Sequence, residues 1–115
     1  MRTLNDYFLT GEIVDISTAG QIYIPVSDGG RIIKAFSVIG GTIATADADI
    51  TLKIAGTAVT GGLITVTASG SAAGDVDTCE PTAANTVVEG QAIEVETDGA
   101  STNTIAAGIT IVIRR

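Results

Sequence analysis

The chain of 115 residues contains no histidine and no tryptophan, and its only cysteine is Cys79. Without histidine, a hydrolase of the Ser–His–Asp type lacks the base that activates its nucleophile. Zinc and other soft-metal sites also lack their usual clusters of cysteine and histidine. A lone cysteine forms no internal disulfide, and the carboxylates beside it, Asp77 and Glu80, make its thiol a poorer nucleophile. The sequence therefore predicts an inert cysteine in a fold that does not depend on oxidation.

Basic residues and long apolar runs are also scarce. Six basic residues stand against 13 acidic ones, which gives a net charge of −7. Proteins that bind nucleic acid or anionic membranes usually carry a basic patch, so this balance disfavours both partners. The first residues lack the apolar run of a signal peptide, and no segment approaches the roughly 20 apolar residues of a membrane span. We expect no direct nucleic-acid partner, no membrane partner, and synthesis in a cytosol.

The residues that are abundant favour β-structure. Isoleucine, valine and threonine are frequent, and 14 glycines punctuate the chain, a composition typical of short strands joined by tight turns. In residues 49–68, apolar and polar residues alternate before Gly56 and again after the Gly61–Gly62 pair, which predicts two strands joined by a turn. About eight such strands with no βαβ rhythm predict one all-β domain, a two-sheet antiparallel sandwich that is jelly-roll-like or immunoglobulin-like. The missing Cys…Trp…Cys pattern weakens the immunoglobulin alternative.

The first eleven residues differ from the rest because they show no alternation. They contain Tyr7 and Phe8, half of the aromatic residues of the chain, and aromatic anchors are enriched in contact surfaces. We therefore predict an N-terminal arm over residues 1–11 and a β-sandwich domain over residues 12–115. The arm would dock on another subunit, or Tyr7 and Phe8 would cap the core of their own domain. In the first case, a form lacking residues 1–10 should still fold. The candidate contact residues are Arg2, Tyr7, Phe8 and Leu9.

A second unusual segment is residues 31–39, which carry apolar side chains at both odd and even positions. This pattern predicts a strand covered on both faces, by the opposing sheet and by a partner or a loop.

Carboxylates are the remaining candidates for chemistry, and they occur in pairs two residues apart. The pairs are Asp47 and Asp49, Asp75 and Asp77, and Glu94 and Glu96. The twelve-residue spacing of a calcium loop is missing, and aspartate is common in turns because it bonds its own backbone. A glycoside hydrolase would also need aromatic platforms for its sugar, which this chain scarcely offers. We therefore expect no catalytic, cofactor-binding or metal-binding residues and no enzymatic activity.

Several longer strings carry a family resemblance. They are GRIIKAFSVIGG at 30–41, ADADIT at 46–51, GTAVTGG at 56–62, GSAAGDVD at 70–77, PTAANTV at 81–87 and EVETDG at 94–99. In these strings the chain resembles the small head decoration, or cement, proteins of tailed bacteriophages, over most of its length from Gly30 onwards.

The resemblance implies a jelly-roll-like domain that binds the outside of an icosahedral capsid and stabilises the shell. The implied partner is the major capsid protein of a phage, the implied assembly is a homotrimer or homodimer, and no cofactor is implied. The protein would be made in the cytoplasm of the bacterial host and would end on the capsid exterior of the virion. Arg2, Tyr7, Phe8 and Leu9 would then contact the capsid or a neighbouring subunit.

Two other functions stay open at this point. One is a carbohydrate-binding or adhesive β-sandwich displayed on a virion or cell surface, for which Tyr23 is the aromatic residue placed in a strand. The other is a small hydrolase that uses the paired carboxylates Glu94 and Glu96.

Overall fold

The computed structural model describes residues 4–115 of the chain, and within that range it consists of nine β-strands joined by turns and loops. The strands are β1 (Asp6–Ile13), β2 (Gly20–Pro25), β3 (Gly30–Ile39), β4 (Ala48–Ile54), β5 (Thr57–Val66), β6 (Val76–Cys79), β7 (Thr86–Val87), β8 (Ala92–Thr97) and β9 (Ala107–Arg114).

The strands form two antiparallel sheets. In the five-stranded sheet the order is β1-β9-β3-β6, with β7 also pairing with β3, and in the four-stranded sheet the order is β2-β8-β4-β5. The pairs are nested: β4 pairs with β5, β3 with β6 and β7, β2 with β8, and β1 with β9. Nested antiparallel pairs rolled into two facing sheets make a jelly roll. The predicted all-β sandwich with jelly-roll character is confirmed, with nine strands instead of about eight.

The ninth strand arises because the strand that pairs with one edge of β3 is interrupted and counts as two, β6 and β7. β6 and β7 run in the same direction along the same edge of β3, and residues 80–85 bulge out between them. This loop reaches the four-stranded sheet, where Thr60 and Ala83 form an isolated bridge. The side-chain amide of Asn85 donates to the carbonyl of Ile32 at 2.7 Å, which ties the loop back to β3. The loop therefore covers one open side of the sandwich.

The space between the sheets is filled by aliphatic side chains. Ile32, Ile50, Leu52, Ile64 and Ile111, together with many more isoleucines and valines, are almost completely buried there. The alternation within β4, β5, β8 and β9 places these residues inward and their polar neighbours outward, because successive side chains of a strand point to opposite faces. The two strands predicted in residues 49–68 are confirmed as β4 and β5, but the turn between them lies at Ala55 and Gly56, and Gly61 and Gly62 lie within β5.

The N-terminal segment differs from the predicted arm. Asp6–Ile13 forms β1, an outer strand of the protein's own five-stranded sheet, which pairs with β9 along its whole length. Arg114 fastens the start of this strand, since its Nε and Nη2 donate to the carboxylate of Asp6 at 2.8 and 3.0 Å. The boundary expected at residue 11 thus falls inside a strand, and residues 6–11 belong to the sandwich.

This correction changes what a truncation would do. Removal of residues 1–10 would delete five of the eight residues of β1 (residues 6–10) and uncover the edge of β9. A form that lacks residues 1–10 is therefore not expected to keep the fold. Residues 1–3, which include the candidate contact Arg2, lie outside the described part of the chain.

No helix in residues 4–115 is long and apolar enough to cross a membrane.

Gly99 lies in the loop after β8 and packs closely against the loop before β2, which allows a test of the fold. Its φ is +69°, and a Cβ built there would stand 2.3 Å from the backbone nitrogen of Ala19. We expect Gly99→Ala to destabilise the protein by about 2–5 kcal/mol, because a left-handed backbone with a side chain costs about 1–2 kcal/mol and overpacking adds about 1–3 kcal/mol. Urea unfolding would measure the loss.

Gly90→Ala is the matched control, because Gly90 has a similar φ of +88° but open space around the added Cβ. It should cost only the backbone strain of about 1–2 kcal/mol. Equal losses in the two variants would contradict the close approach of Gly99 to Ala19.

Candidate interaction surface

The register of the five-stranded sheet divides its side chains between the core and the outside. Directly opposed residues of antiparallel strands share a face, and Phe8 opposes Val112, which in turn opposes Lys34. Val112 lies between the core residues Ile111 and Ile113 and does not belong to the core cluster. Phe8, Val112 and Lys34 therefore point away from the core.

The same reasoning extends across the rest of this sheet. Phe36 opposes Thr110 and Thr78, and Val38 opposes Gly108 and Val76. We call the apolar members of this side the outer apolar face. It consists of Phe8, Phe36, Val38, Val76 and Val112.

Three members of the outer apolar face are well exposed. The exposed fractions are 56% for Phe8, 42% for Val38 and 58% for Val76, whereas Val112 is buried beneath its outward-pointing neighbours. Scattered exposed apolar residues are normal, whereas several on one face of a sheet mark a candidate interaction surface. The register places Thr10, Thr78 and Thr110 among them. Both phenylalanines of the chain lie on this face instead of in the core.

A positive charge stands above the middle of this face. Nζ of Lys34 is 5.4 Å from the centroid of the Phe36 ring and 3.4 Å from a carboxylate oxygen of Glu80. Because Glu80 belongs to the loop that interrupts the strand position of β6 and β7, this loop also helps to position the cation over the ring. The centre of the face is thus an aromatic ring partly covered by an ammonium group, a combination that interfaces use.

The candidate contact residues of the first segment separate into two groups. Tyr7 and Leu9 oppose Ile113 and Ile111 and pack against the core. The hydroxyl of Tyr7 donates to the carbonyl of Asp28, and the guanidinium of Arg115 lies 5.2 Å from the ring centroid of Tyr7. Burial of the phenol raises the pKa of Tyr7. Phe8 is thus the member of this group whose side chain faces outward, and the contact predicted for it stays a prediction.

Sequence reasoning missed part of this surface. It identified residues 31–39 as apolar on both sides, which includes Phe36 and Val38, but it did not connect them with Val76 or Val112. The signal for Val112 was the unbroken apolar run from Ile111 to Ile113, which departs from strict alternation. Val76 offered no such signal, since its place beside Val38 depends on strand pairing.

The outer face of the four-stranded sheet has a different character. Tyr23 opposes Glu94, which opposes Lys53, while Gln21 opposes Glu96. Lys53 pairs with Glu96 at 3.1 Å, and this hydrogen bond and the charges of Glu96 and Glu94 raise the pKa of Lys53. This side of the protein is therefore polar and acidic around one exposed tyrosine, on the opposite side of the core from the outer apolar face.

The paired carboxylates serve loops and strands at separate places. Asp47 accepts a hydrogen bond from the amide of Ala68, and Asp98 accepts those of Asp49 and Ala100. Burial and the charge of Asp75 raise the pKa of Asp77. In residues 4–115, no group of three or more histidine, cysteine, aspartate or glutamate side chains is arranged to hold a metal ion.

Comparison with known proteins gives structural matches only. No protein-family model matches the chain, and no curated protein matches it. The fold is similar to a chain in the acidic stable capsid structure of the Helicobacter pylori bacteriophage KHP30, with a TM-score of 0.61 and 12% identity over 96% of this chain and 87% of that chain. A chain of the capsid asymmetric unit of cyanophage Pam1 matches with a TM-score of 0.53 and 11% identity, over 96% of this chain and 84% of that one.

An enzyme domain also shares the fold. A variant catalytic domain of GH87 α-1,3-glucanase in complex with nigerose matches with a TM-score of 0.58 and 7% identity, over 98% of this chain but only 28% of that chain. At these identities the matches establish a shared fold, which is common to capsid, lectin and other proteins.

The state of Cys79 gives a prediction. The thiol is buried, and burial raises its pKa to about 11. At about pH 8, roughly one thiol in a thousand is then ionised, against about a quarter for a free cysteine of pKa about 8.5. We expect iodoacetamide to label the folded protein at least about 100-fold more slowly than the urea-denatured protein. Mass spectrometry would follow the reaction, and equal rates in the two states would contradict the buried, protonated thiol.

Proposed function

We propose that the protein is a structural component of a bacteriophage virion, a head decoration or cement protein that binds the outer surface of the capsid and stabilises the shell. The observation that carries the proposal is the match over nearly the full length of both chains to proteins in two phage capsid structures. A jelly roll alone does not decide function, so the proposal is argued from the extent of the match and from the character of the surface.

The extent of the match favours a capsid component over a part of an enzyme. In the two capsid structures the matched chain is little longer than this one, because the alignment covers 87% and 84% of it. In the glucanase, the matched part is 28% of a larger chain. The jelly roll described here therefore aligns with most of each capsid chain and with a minor part of the glucanase chain.

The surface favours binding over catalysis. The outer apolar face presents two phenylalanines and three valines on one side of a sheet, which suits contact with another protein surface better than the enclosure of a substrate. We propose that this face docks on the major capsid protein, with Phe8 as an aromatic anchor. No enzymatic activity and no cofactor belong to this function.

Repetition would strengthen such contacts. A capsid presents many identical sites, and a homotrimer or homodimer of the protein would engage several at once, which raises avidity without new contacts. The proposed location is the capsid exterior of the virion, reached after synthesis in the host cytoplasm. Light scattering coupled to size-exclusion chromatography would count the copies in solution.

Charge placed on the outer apolar face tests the proposal. We expect Val76→Glu to weaken binding to capsid shells by about tenfold or more, since a carboxylate would be buried without a partner in the contact. The assay is co-sedimentation with shells of the encoding phage that were assembled without this protein. Thermal melting of the free variant would show that it still folds, as expected for a residue that is 58% exposed.

Leu63→Glu is the matched control, because Leu63 is 49% exposed on the opposite, four-stranded sheet. It should bind shells as tightly as the unchanged protein. Failure of the unchanged protein to sediment with shells would overturn the proposed function, and equal loss in both variants would remove the outer apolar face from it. Electron microscopy of decorated shells would separate exterior from interior binding.

A further inference from the structure

Tyr23 stands out on the polar side of the molecule. It is 61% exposed, in the middle of β2, while every other aromatic ring of the chain lies in the five-stranded sheet. Beside it is a shallow depression of about 230 Å³, lined by Tyr23, Ala55, Gly56, Gln91, Ala92 and Glu94. Pockets that enclose drug-sized ligands measure about 300–1,000 Å³, so this depression suits one ring of a longer ligand.

The groups around the tyrosine are suited to hydroxyl-bearing ligands. Glu94 directly opposes Tyr23 in the sheet and presents a carboxylate that accepts hydrogen bonds. Gln91 uses its side-chain oxygen to accept the amide of Val88 at 2.9 Å, which orients its NH2 group as a donor. The phenol of Tyr23 both donates and accepts. An aromatic face beside fixed donors and acceptors matches the apolar CH groups and the hydroxyls of a pyranose ring.

The charge of the surface restricts the class of sugar. Glu94 lies opposite Tyr23, and Glu96 lies two residues further along the same strand. Lys53, which also opposes Glu94, pairs with Glu96 at 3.1 Å. Carboxylate or sulfate groups on a glycan would meet like charge here, and like charges in contact are unfavourable. The site therefore fits a neutral sugar better than an anionic one.

We propose that the Tyr23 face is a binding site for neutral glycans, with one pyranose ring stacked on Tyr23 and its hydroxyls bonded to Glu94 and Gln91. Carbohydrate binding then becomes a second activity beside capsid binding instead of an alternative to it. Glycan binding at this site does not depend on the proposed function. Only the outward display of the site on a virion rests on that function. With the outer apolar face on the shell, the opposite sheet would point toward the surroundings of the particle.

The test uses the full-length protein, biotinylated and clustered on streptavidin because a single shallow site binds weakly. The probe is an array of neutral hexose and N-acetylhexosamine oligosaccharides together with sialylated and sulfated ones. We expect binding to neutral glycans, at least about tenfold weaker signal for Tyr23→Ala, and a smaller loss for Tyr23→Phe, which keeps the ring. Anionic glycans should give the weakest signals.

Phe8→Ala is the matched control, since Phe8 is similarly exposed on the opposite sheet. It should keep glycan binding within about twofold and lose shell binding, whereas Tyr23→Ala should show the reverse. Absence of binding to every neutral glycan, preference for anionic glycans, or equal losses in Tyr23→Ala and Phe8→Ala would each overturn the proposal. Because the array contains no shells, a failed shell assay with retained glycan binding would reject the proposed function alone.

Discussion

The packing of branched aliphatic side chains between two close sheets is the interaction on which the rest of this structure depends. The core contains isoleucine, valine, leucine and alanine in place of large rings. Isoleucine and valine are stiff at χ1 and fill a pleated surface well, so short strands suffice to bury a continuous layer. The packing is tight at Gly11, where an added Cβ would lie 2.9 Å from Cδ1 of Ile24, so that this side chain would have to shift.

Exclusion of aromatic rings from this core has a consequence for the surfaces. The rings of Phe8 and Phe36 lie on the outside of one sheet and that of Tyr23 on the outside of the other, while Tyr7 is half-buried near the edge. The core is therefore aliphatic, and three of the four rings stay on the outer surfaces, where the proposed contacts would use them. The two outer surfaces can then carry different partners, since neither contributes much to the layer that holds the sheets together.

Local alternation predicted most of the fold, and its limits have physical causes. β4, β5, β8 and β9 could be predicted because their inward positions are filled by large aliphatic residues. β1 was mistaken for an arm because one inward position is Gly11, where the side chains of the facing sheet occupy the space, and one outward position is Phe8. Both exceptions disguise the period of two. The outer apolar face was less accessible to sequence reasoning, since Val38 and Val76 become neighbours only through pairing of strands that are almost forty residues apart.

The central position of β9 affects how the protein is made. This strand joins β1 to β3 in the five-stranded sheet, so residues near the two ends of the chain, such as Asp6 and Arg114, must meet. During translation, β1 and β3 leave the ribosome without the strand that separates them, and their edges stay open until residues 107–114 have been made. Folds dominated by such distant contacts form slowly and pass through species prone to aggregation. We therefore expect nascent chains to depend on chaperones until β9 has emerged, and expression yield to respond to changes in β9 more strongly than its share of the length suggests.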